Sequence, residues 1–526
     1  MMEVLENKVL VFNTRTPAKY TNAIRKVEVL GQRNGLTKLA VFWGLDEVRV
    51  LRNLGLEQTP SPILGRYNWP SPPSITPFEH QKDTAAFLTF YPRAFVFNEA
   101  GTGKTMAAGW CADYLMRIGA VRRVLVVCPL SIMNSAWLDD LNKTLVHRSV
   151  GIAHHTNVEK RREVINNDYD FVIINHDGLN LVGKDIVEDG RFDLIIVDEC
   201  NAFKNAQTKR WASLKKLIQP HTRLWMMTGT PAAQSPVDAY GLAKLVSPDR
   251  VPKYYNAWRD KVMIKITQFK WLPRANAKDI VHDALQPAVR YTKDMCLDLP
   301  PVMTEVRTVP LTAQQQKYYD MLRNRMMMEA SGATITAVNA AAGVNKLLQI
   351  SAGAAYTDDR EVVEFDCTPR LNVLLEAIEE TQRKVLVFVP YRHAMVTIET
   401  FLKKNGVECA QIHGGVTLTA RTLLFKKLQN PDDPLKVLVI EPHTASHGVT
   451  LTQADTVVFW GPVTSVETYI QCVARSDRHG QTSEKVTVVC LQGSSIEKRM
   501  YTVLFSRIED HSAVVNLYRE ELQLSP

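Results

Sequence analysis

The stretch Asn98-Glu99-Ala100-Gly101-Thr102-Gly103-Lys104-Thr105 constrains this chain more than any other. The apolar run Ala94-Phe95-Val96-Phe97 before it reads as a buried strand, and Met106 to Ile118 after it reads as a helix that stops at Gly119. Strand, glycine-containing turn, Lys-Thr and helix, in that order, make a phosphate-binding loop. Such a turn offers successive backbone N–H groups and a helix N-terminus to phosphate, with Lys104 reaching the β- and γ-oxygens. The Thr105 hydroxyl would take one position on Mg²⁺. The strict pattern opens on Gly where this chain has Asn98, and the competing reading is a glycine-rich surface turn before an ordinary helix. The flanking strand and helix favour the first reading, so Glu99, Ala100, Gly101, Thr102, Gly103, Lys104 and Thr105 are expected to hold a nucleotide.

At 526 residues the chain has room for about three or four domain-sized units. Hydrophobic residues at 45% and charged residues at 22% are the proportions of an ordinary globular protein. No apolar run reaches the roughly 20 residues of a membrane span, and the opening Met1-Met2-Glu3-Val4-Leu5-Glu6 has acids where a secretory signal needs cations. A cytoplasmic protein with no membrane partner is expected. The eight cysteines never form Cys-x-x-Cys, which argues for reduced thiols rather than a zinc site or a disulfide framework. A net charge of +8 permits a polyanionic partner without requiring one.

Along the chain, residues 1–70 read as a small α+β accessory domain. Lys8 to Phe12, Lys26 to Leu30 and Thr37 to Trp43 are strand-like, and Asp46 to Leu54 places Val48, Leu51 and Leu54 on one helical face. Its basic residues, Lys19, Arg25, Lys26, Arg33 and Lys38, suit either a DNA-contacting module or a solvated structural appendage. Pro60 to Pro77 reads as a linker. Gln81, just upstream of the phosphate loop, has an amide that can pair with adenine N6 and N7.

After the loop, apolar strands alternate with helices: Val124 to Val127, Asp170 to Ile174, Leu194 to Val197 and Arg223 to Met227. Near-continuous apolar strands separated by helices indicate a parallel sheet covered on both faces, with chemistry at the carboxyl ends of the strands. The region from about Ala232 to Arg383 is less regular, with a long helix expected from Gln314 to Glu329. Alternation resumes at Val385 to Val389, Cys409 to Ile412, Val437 to Ile440, Thr456 to Phe459 and Lys485 to Leu491, a second sheet of the same kind.

Asp198-Glu199 closes the apolar run Phe192 to Val197. A carboxylate at a buried strand end can hold Mg²⁺ opposite Thr105, and Glu199 can orient or deprotonate a water. The bland reading is a surface Asp-Glu turn. Near the other end, Thr464-Ser465-Val466-Glu467 has capping-box spacing. In the helix it predicts, Gln471, Arg475 and Arg478 fall at i, i+4 and i+7 and so share one face. Such a face is commonly solvated. Ile470, Val473 and Ala474 supply an apolar side that would dock the helix, and rigidly held arginines suit a γ-phosphoryl group in transfer. Hydrolysis would then need the two lobes to close.

In this order the residues resemble the superfamily-two helicase-like ATPases, and within them the Swi/Snf type, over 76 to 505. Gln81 is similar to the adenine-reading motif, Gly101 to Thr105 to motif I, Pro129-Leu130-Ser131 to motif Ia, and Asp198-Glu199 to motif II. Thr228-Gly229-Thr230-Pro231 resembles motif III, and His413-Gly414-Gly415 with Arg421 the segment after motif IV. Gly448 to Thr452 resembles motif V, and Gln471 to Gln481 motif VI. Lys204-Asn205 and the stretch from Leu285 to Arg290 leading to Leu299-Pro300-Pro301 point to the Swi/Snf branch. The compact size looks closer to annealing helicases and small phage relatives than to nucleosome remodellers. Cys200-Asn201 stand where the family usually has Ala-His, which puts the link between motifs II and III in question, although an Asn amide can make it.

The resemblance implies an α/β fold with two RecA-like parallel-sheet lobes in tandem, helical insertions and the small N-terminal domain. The lobes would span 76–250 and 366–505, with an insertion and linker over 251–365 and a helical tail over 506–526. It implies ATP and Mg²⁺ as cofactors, with Gln81 and Gly448 completing the nucleotide site. Thr105 and Asp198 would hold the metal, and Lys104, Asp198, Glu199, Gln471, Arg475 and Arg478 would carry the reaction. It further implies a DNA-stimulated ATPase moving on double-stranded or forked DNA in replication, recombination or repair, beside replication or repair proteins. DNA contacts would be mainly to the backbone, with Ser131 and Thr444 as candidates. The rivals are a strand-separating DNA or RNA helicase of the same superfamily and a nucleotide-dependent clamp.

Overall fold

The computed structural model describes residues 2–508 except 74, 232–234, 268–270, 297–298, 333–336, 357–361 and 446–448, and gives no side chains at 131, 135, 326–341 and 445. Gly448 and most of the expected tail therefore lie outside the described residues. The chain divides after Cys296 into two compact units.

The first unit opens on an antiparallel sheet of β1 (Met2–Leu5), β2 (Val9–Thr14), β3 (Val27–Arg33) and β4 (Leu36–Phe42), in the order β1-β2-β4-β3. Helix α1 (Leu45–Asn53) buries Val48 and Leu51 against it, while Leu45 enters the core under the main sheet. Val48 and Leu51 join Leu10, Phe12, Leu39 and Trp43 in a small core. The proline-rich stretch expected to be a linker is instead packed. Ile63 and Tyr67 enter the core under the main sheet, Trp43 Nε1 donates to the Pro60 carbonyl, and Trp110 Nε1 donates to the Pro70 carbonyl. Prolines have no N–H to satisfy and keep their carbonyls available, so the stretch can be strapped down by indole donors.

The main sheet of this unit holds β5 (Arg93–Val96), β6 (Arg123–Cys128), β7 (Val150–Ile152), β8 (Phe171–Asn175), β9 (Phe192–Asp198) and β10 (Arg223–Met227). A separate hairpin, β11 (Met263–Lys265) with β12 (Trp271–Pro273), precedes its last strand, β13 (Ala288–Val289). The order is β13-β5-β10-β9-β6-β8-β7, with every pairing parallel. Helices α2 (Glu79–Phe90) and α3 (Lys104–Arg117) flank β5 in sequence and contribute Ala85, Leu88, Trp110 and Leu115 to the core. β7 and β13 were not visible in the sequence, because strands of three and two residues carry no measurable periodicity.

The second unit has six parallel strands: β14 (Val302–Thr308), β17 (Lys384–Phe388), β18 (Cys409–Ile412), β19 (Val437–Ile440), β20 (Ala454–Phe459) and β21 (Val486–Gln492). Their order is β14-β21-β20-β17-β19-β18, and a small hairpin, β15 (Ala354–Tyr356) with β16 (Val362–Glu364), stands apart. β14 pairs with β21 along seven residues yet is exposed along nearly its whole length, which hid it from hydrophobic patterning. The expected long helix runs from Ala313 to Gly332. Two cores, one on each face of the sheet, explain why β17 and β19 are buried so continuously. The eight cysteines are free thiols. Among the described residues no helix is long and apolar enough to cross a membrane.

Candidate nucleotide-binding site

The phosphate loop leaves β5 at Phe97 and ends at Gly103, the N-cap of α3. Gly101 and Gly103 have φ of 92° and 79°, a region that costs residues with a Cβ about 1–2 kcal/mol. A Cβ on Gly103 would also collide with the Gln81 amide. Asn98 explains its own departure from the pattern. It is buried, its Nδ2 donates to Thr84 Oγ1 at 2.9 Å, and its Oδ1 accepts from the Tyr291 N–H at 3.0 Å. A glycine there would remove one tie between the loop and α2 and one to the segment after β13. Lys104 Nζ donates to the carbonyls of Asn98 at 2.8 Å and Glu99 at 3.1 Å, so the ammonium lies folded over the loop.

Glu99 turns its carboxylate away from the loop's own backbone. It accepts from Arg290 Nη2 at 3.1 Å and from the Lys293 N–H at 3.0 Å, while Arg290 Nη1 donates to the Phe97 carbonyl. Gln81 is brought against the loop but its amide is engaged. Oε1 accepts from the Phe78 N–H, closing the first turn of α2, and Nε2 donates to the Thr102 carbonyl at 3.3 Å. His80 Nε2 donates to the same carbonyl at 2.8 Å.

The acidic pair sits at the end of β9, whose neighbour β10 pairs Met227 opposite Asp198. Asp198 is buried and accepts from Trp137 Nε1 at 3.0 Å and from the Glu199 N–H at 2.9 Å. Burial and the adjacent Glu199 push its pKa up to about 6, and Lys104 draws it back. Glu199 itself takes φ 49° and ψ 54°, a left-handed conformation uncommon for a residue with a side chain, which re-aims the chain at the strand end. Asn201 then supplies the link that its substitution for His put in question. Its Nδ2 donates to the Thr230 carbonyl at 2.9 Å and lies 3.1 Å from Thr230 Oγ1 and 3.2 Å from Thr228 Oγ1. Gly229, between them, comes close enough to the loop that a Cβ would stand 3.3 Å from the Ala100 nitrogen.

Lys104 and Glu199 thus lie close enough to Asp198 to act on its charge, and Thr105 follows Lys104 in the first turn of α3. The donor set fits a magnesium-bound triphosphate: an ammonium over the loop, a hydroxyl residue in the first turn of α3, and a buried carboxylate that Lys104 draws down and a cation would draw down further. Sequence reasoning missed Trp137, His176 and Arg290. His176 Nε2 donates to the Asp198 carbonyl at 2.9 Å. Trp137 and His176 carry no local pattern. Arg290 falls within a stretch whose one sequence signal is its resemblance to the Swi/Snf branch.

In the second unit the expected helix is shorter than the spacing suggested. α4 (Val466–Val473) ends at the C-cap Ala474, so Arg475 and Arg478 lie in turns beyond it and do not share a helical face with Gln471. The reason is local. Arg475 Nε folds back to the Gln471 carbonyl at 2.9 Å, satisfying a helix-end acceptor, and its Nη1 donates to the Val449 carbonyl at 2.9 Å. The Leu451 N–H donates to the Arg475 carbonyl. Arg475 is therefore buried, whereas Arg478 is half-buried with Nη1 on Thr450 Oγ1 at 3.0 Å. Gln471 is buried, with Nε2 3.4 Å from Glu467 Oε1. The Thr444 hydroxyl donates to the Glu441 carbonyl at 2.8 Å, and the Ser131 side chain is outside the described residues.

A phosphate loop with an acidic strand end, followed by a second parallel sheet carrying its own arginine segment, defines a helicase-like ATPase. Residues 80–352 match the SNF2-related domain and residues 369–480 the helicase conserved C-terminal domain, so the chain belongs to the SNF2-related family and is an ATP-hydrolysing, helicase-like enzyme. Protein p41 of Acyrthosiphon pisum secondary endosymbiont phage 1 is 26% identical over 420 residues, covering 76% of this chain and 88% of that protein. The ATP-dependent helicase YqhH of Bacillus subtilis is 22% identical over 369 residues, 65% of this chain and 63% of YqhH. The ISWI chromatin-remodeling complex ATPase ISW1 of Saccharomyces cerevisiae is 21% identical over 449 residues, 81% of this chain but only 39% of its own length. Among solved structures, the Sulfolobus solfataricus SWI2/SNF2 ATPase core in complex with dsDNA is 20% identical, covers 83% of this chain and 92% of that one, and has a TM-score of 0.41.

Proposed function

We propose that this enzyme is an ATP-driven translocase on double-stranded or forked DNA, serving replication, recombination or repair. Lys104 would hold the β- and γ-phosphates, and Thr105 and Asp198 would hold Mg²⁺, which when bound neutralises phosphate charge. Glu199 would orient or deprotonate the attacking water, and Gln471, Arg475 and Arg478 would serve the same reaction from the second unit. Gln81 would read adenine after exchanging its contacts with Phe78 and Thr102 for the base. The observation that carries the reading is the Asn201 amide on Thr230, because it ties the acidic pair to a second segment instead of leaving a surface turn. A hydrolytic centre wired in this way can pass a change of nucleotide state to the rest of its unit.

DNA as the track is supported by relatives described as an ATP-dependent DNA helicase, DDM1 of Arabidopsis thaliana, and as a chromodomain-helicase-DNA-binding protein of Danio rerio. The test is the ATPase rate against single-stranded, duplex and forked DNA and RNA. Stimulation by duplex or fork, with displacement of a third strand from a triplex, is expected. Stimulation by single strands with separation of a tailed duplex would assign a strand-separating helicase, and no stimulation by duplex DNA over protein alone would overturn the translocase.

A further inference from the structure

The β11–β12 hairpin has no part in the nucleotide site, yet its composition stands out. Between Lys253 and Lys278 seven lysines and arginines face one acid, Asp260, so 26 residues carry a net +6 against +8 for the whole chain. Such concentration marks a polyanion-binding surface more strongly than the overall charge does.

The hairpin is firmly based. The helix Tyr255–Val262 before it buries Trp258 and Val262, Met263 is buried, and the Arg274 N–H donates to the Val262 carbonyl at 2.9 Å. Its two faces differ. Lys265 pairs opposite Trp271, whose ring lies 4.2 Å from the Arg259 guanidinium and 6.0 Å from Lys265 Nζ. The Asp260 carboxylate accepts from Arg259 Nε at 3.4 Å and Nη2 at 3.3 Å, and its carbonyl accepts from Arg274 Nε. Ile264 pairs opposite Leu272 on the other face, and these two are 43% and 46% exposed, with the following Ile266 at 53%. An isolated two-stranded ribbon that shows three branched aliphatics to solvent beside exposed Lys261, Lys265 and Arg274 needs an occupant both apolar and anionic. The face of an open base pair beside its phosphates is such an occupant, and aliphatic wedges against base steps are a recurring means of holding one.

We propose that the β11–β12 hairpin is a junction-reading element: Lys261, Lys265 and Arg274 take phosphates, and the Ile264–Leu272 face rests on the exposed base pair where a duplex opens. The proposal rests on the DNA-acting reading above and names the DNA feature that the first unit prefers.

The experiment uses the full chain. Affinity for a labelled fork is read by fluorescence anisotropy, and affinity for a relaxed, covalently closed circle by competition. I264S/I266S/L272S is expected to weaken fork binding about tenfold while changing circle binding less than twofold. K261E/K265E/R274E is expected to weaken both and to flatten the dependence on salt, by about one unit of slope for each phosphate left without its cation. All six positions are solvent-facing, and an unchanged melting temperature confirms folding. Fork affinity equal to that of the unsubstituted chain, or an equal loss on fork and circle, overturns the inference. If sedimentation shows that the serine variant has lost self-association while fork affinity stays the same, the face joins copies of the chain and the inference falls. An unsubstituted chain that binds no DNA and shows no DNA-stimulated ATPase defeats the translocase reading itself, which separates the two failures.

Discussion

The Asn201 amide donates to the Thr230 carbonyl at 2.9 Å and joins the segment after Asp198-Glu199 to the segment after β10. It does the work of a longer, ring-bearing side chain with a short one. Asn201→Leu removes the donor and leaves a buried threonine segment short of a partner, at a cost of about 1–3 kcal/mol. Turnover is expected to fall roughly tenfold to a hundredfold while ATP affinity stays within about threefold. Asn201→His is expected to keep most of the turnover. Steady-state ATPase with a separate measurement of nucleotide binding decides both.

Lys104 is the cation that lies over the loop carbonyls and draws the Asp198 carboxyl down. Lys104→Ala is expected to abolish hydrolysis, since the γ-phosphate loses its main charge partner. The melting temperature without nucleotide is expected to stay close to that of the unsubstituted chain, and calorimetric titration with ATP is expected to show weakened binding.

Arg475 and Arg478 are not equivalent. Arg475 is buried on the carbonyls of Gln471 and Val449, so Arg475→Ala is expected to cost stability, about 1–3 kcal/mol for acceptors left without a donor, in addition to turnover. Arg478→Ala is expected to leave the melting temperature nearly unchanged and reduce turnover about a thousandfold, the scale of an arginine-finger loss. Thermal melts beside single-turnover rates separate the two, and a thermally stable Arg475→Ala would contradict the packing.

Asp113 on α3 contributes to acid sensitivity. Burial pushes its carboxyl up, but hydrogen bonds from Tyr67, His147 and Arg148 outweigh that and hold it below the usual carboxylate range. A depressed carboxyl contributes stability that is present above its unfolded value of about 3.9 and is lost as pH falls through the folded one. Denaturant midpoints are expected to drop as pH falls below about 4, the unfolded carboxyl value. Asp113→Asn is expected to be less stable at neutral pH by about 3–5 kcal/mol, because Arg148 and Arg117 lose their buried counter-charge, and to show a smaller acid-induced drop.

What was legible in the sequence was local and periodic. The apolar runs that became β5, β6, β8, β9, β10 and the centre of the second sheet were readable because burial on both faces demands continuous hydrophobicity. Gly101, Gly103, Lys104 and Asp198-Glu199 were readable because a phosphate loop and an acidic strand end are contiguous in sequence. The exposed β14, the two-residue β13 and the early end of α4 were not. The first is paired without being apolar, the second is too short for a period, and the third is set by one guanidinium turning back on a carbonyl.

Asn98 shows the division most clearly. By itself the sequence determined that a nucleotide loop follows β5, since spacing along one chain segment suffices for that. Only the tertiary structure decided why the loop opens on Asn98 rather than Gly. Its amide spans from Thr84 on α2 to Tyr291 after β13, residues 14 and 193 positions away, and no rule of local spacing can carry a contact whose partners are brought together by the packing of the sheet.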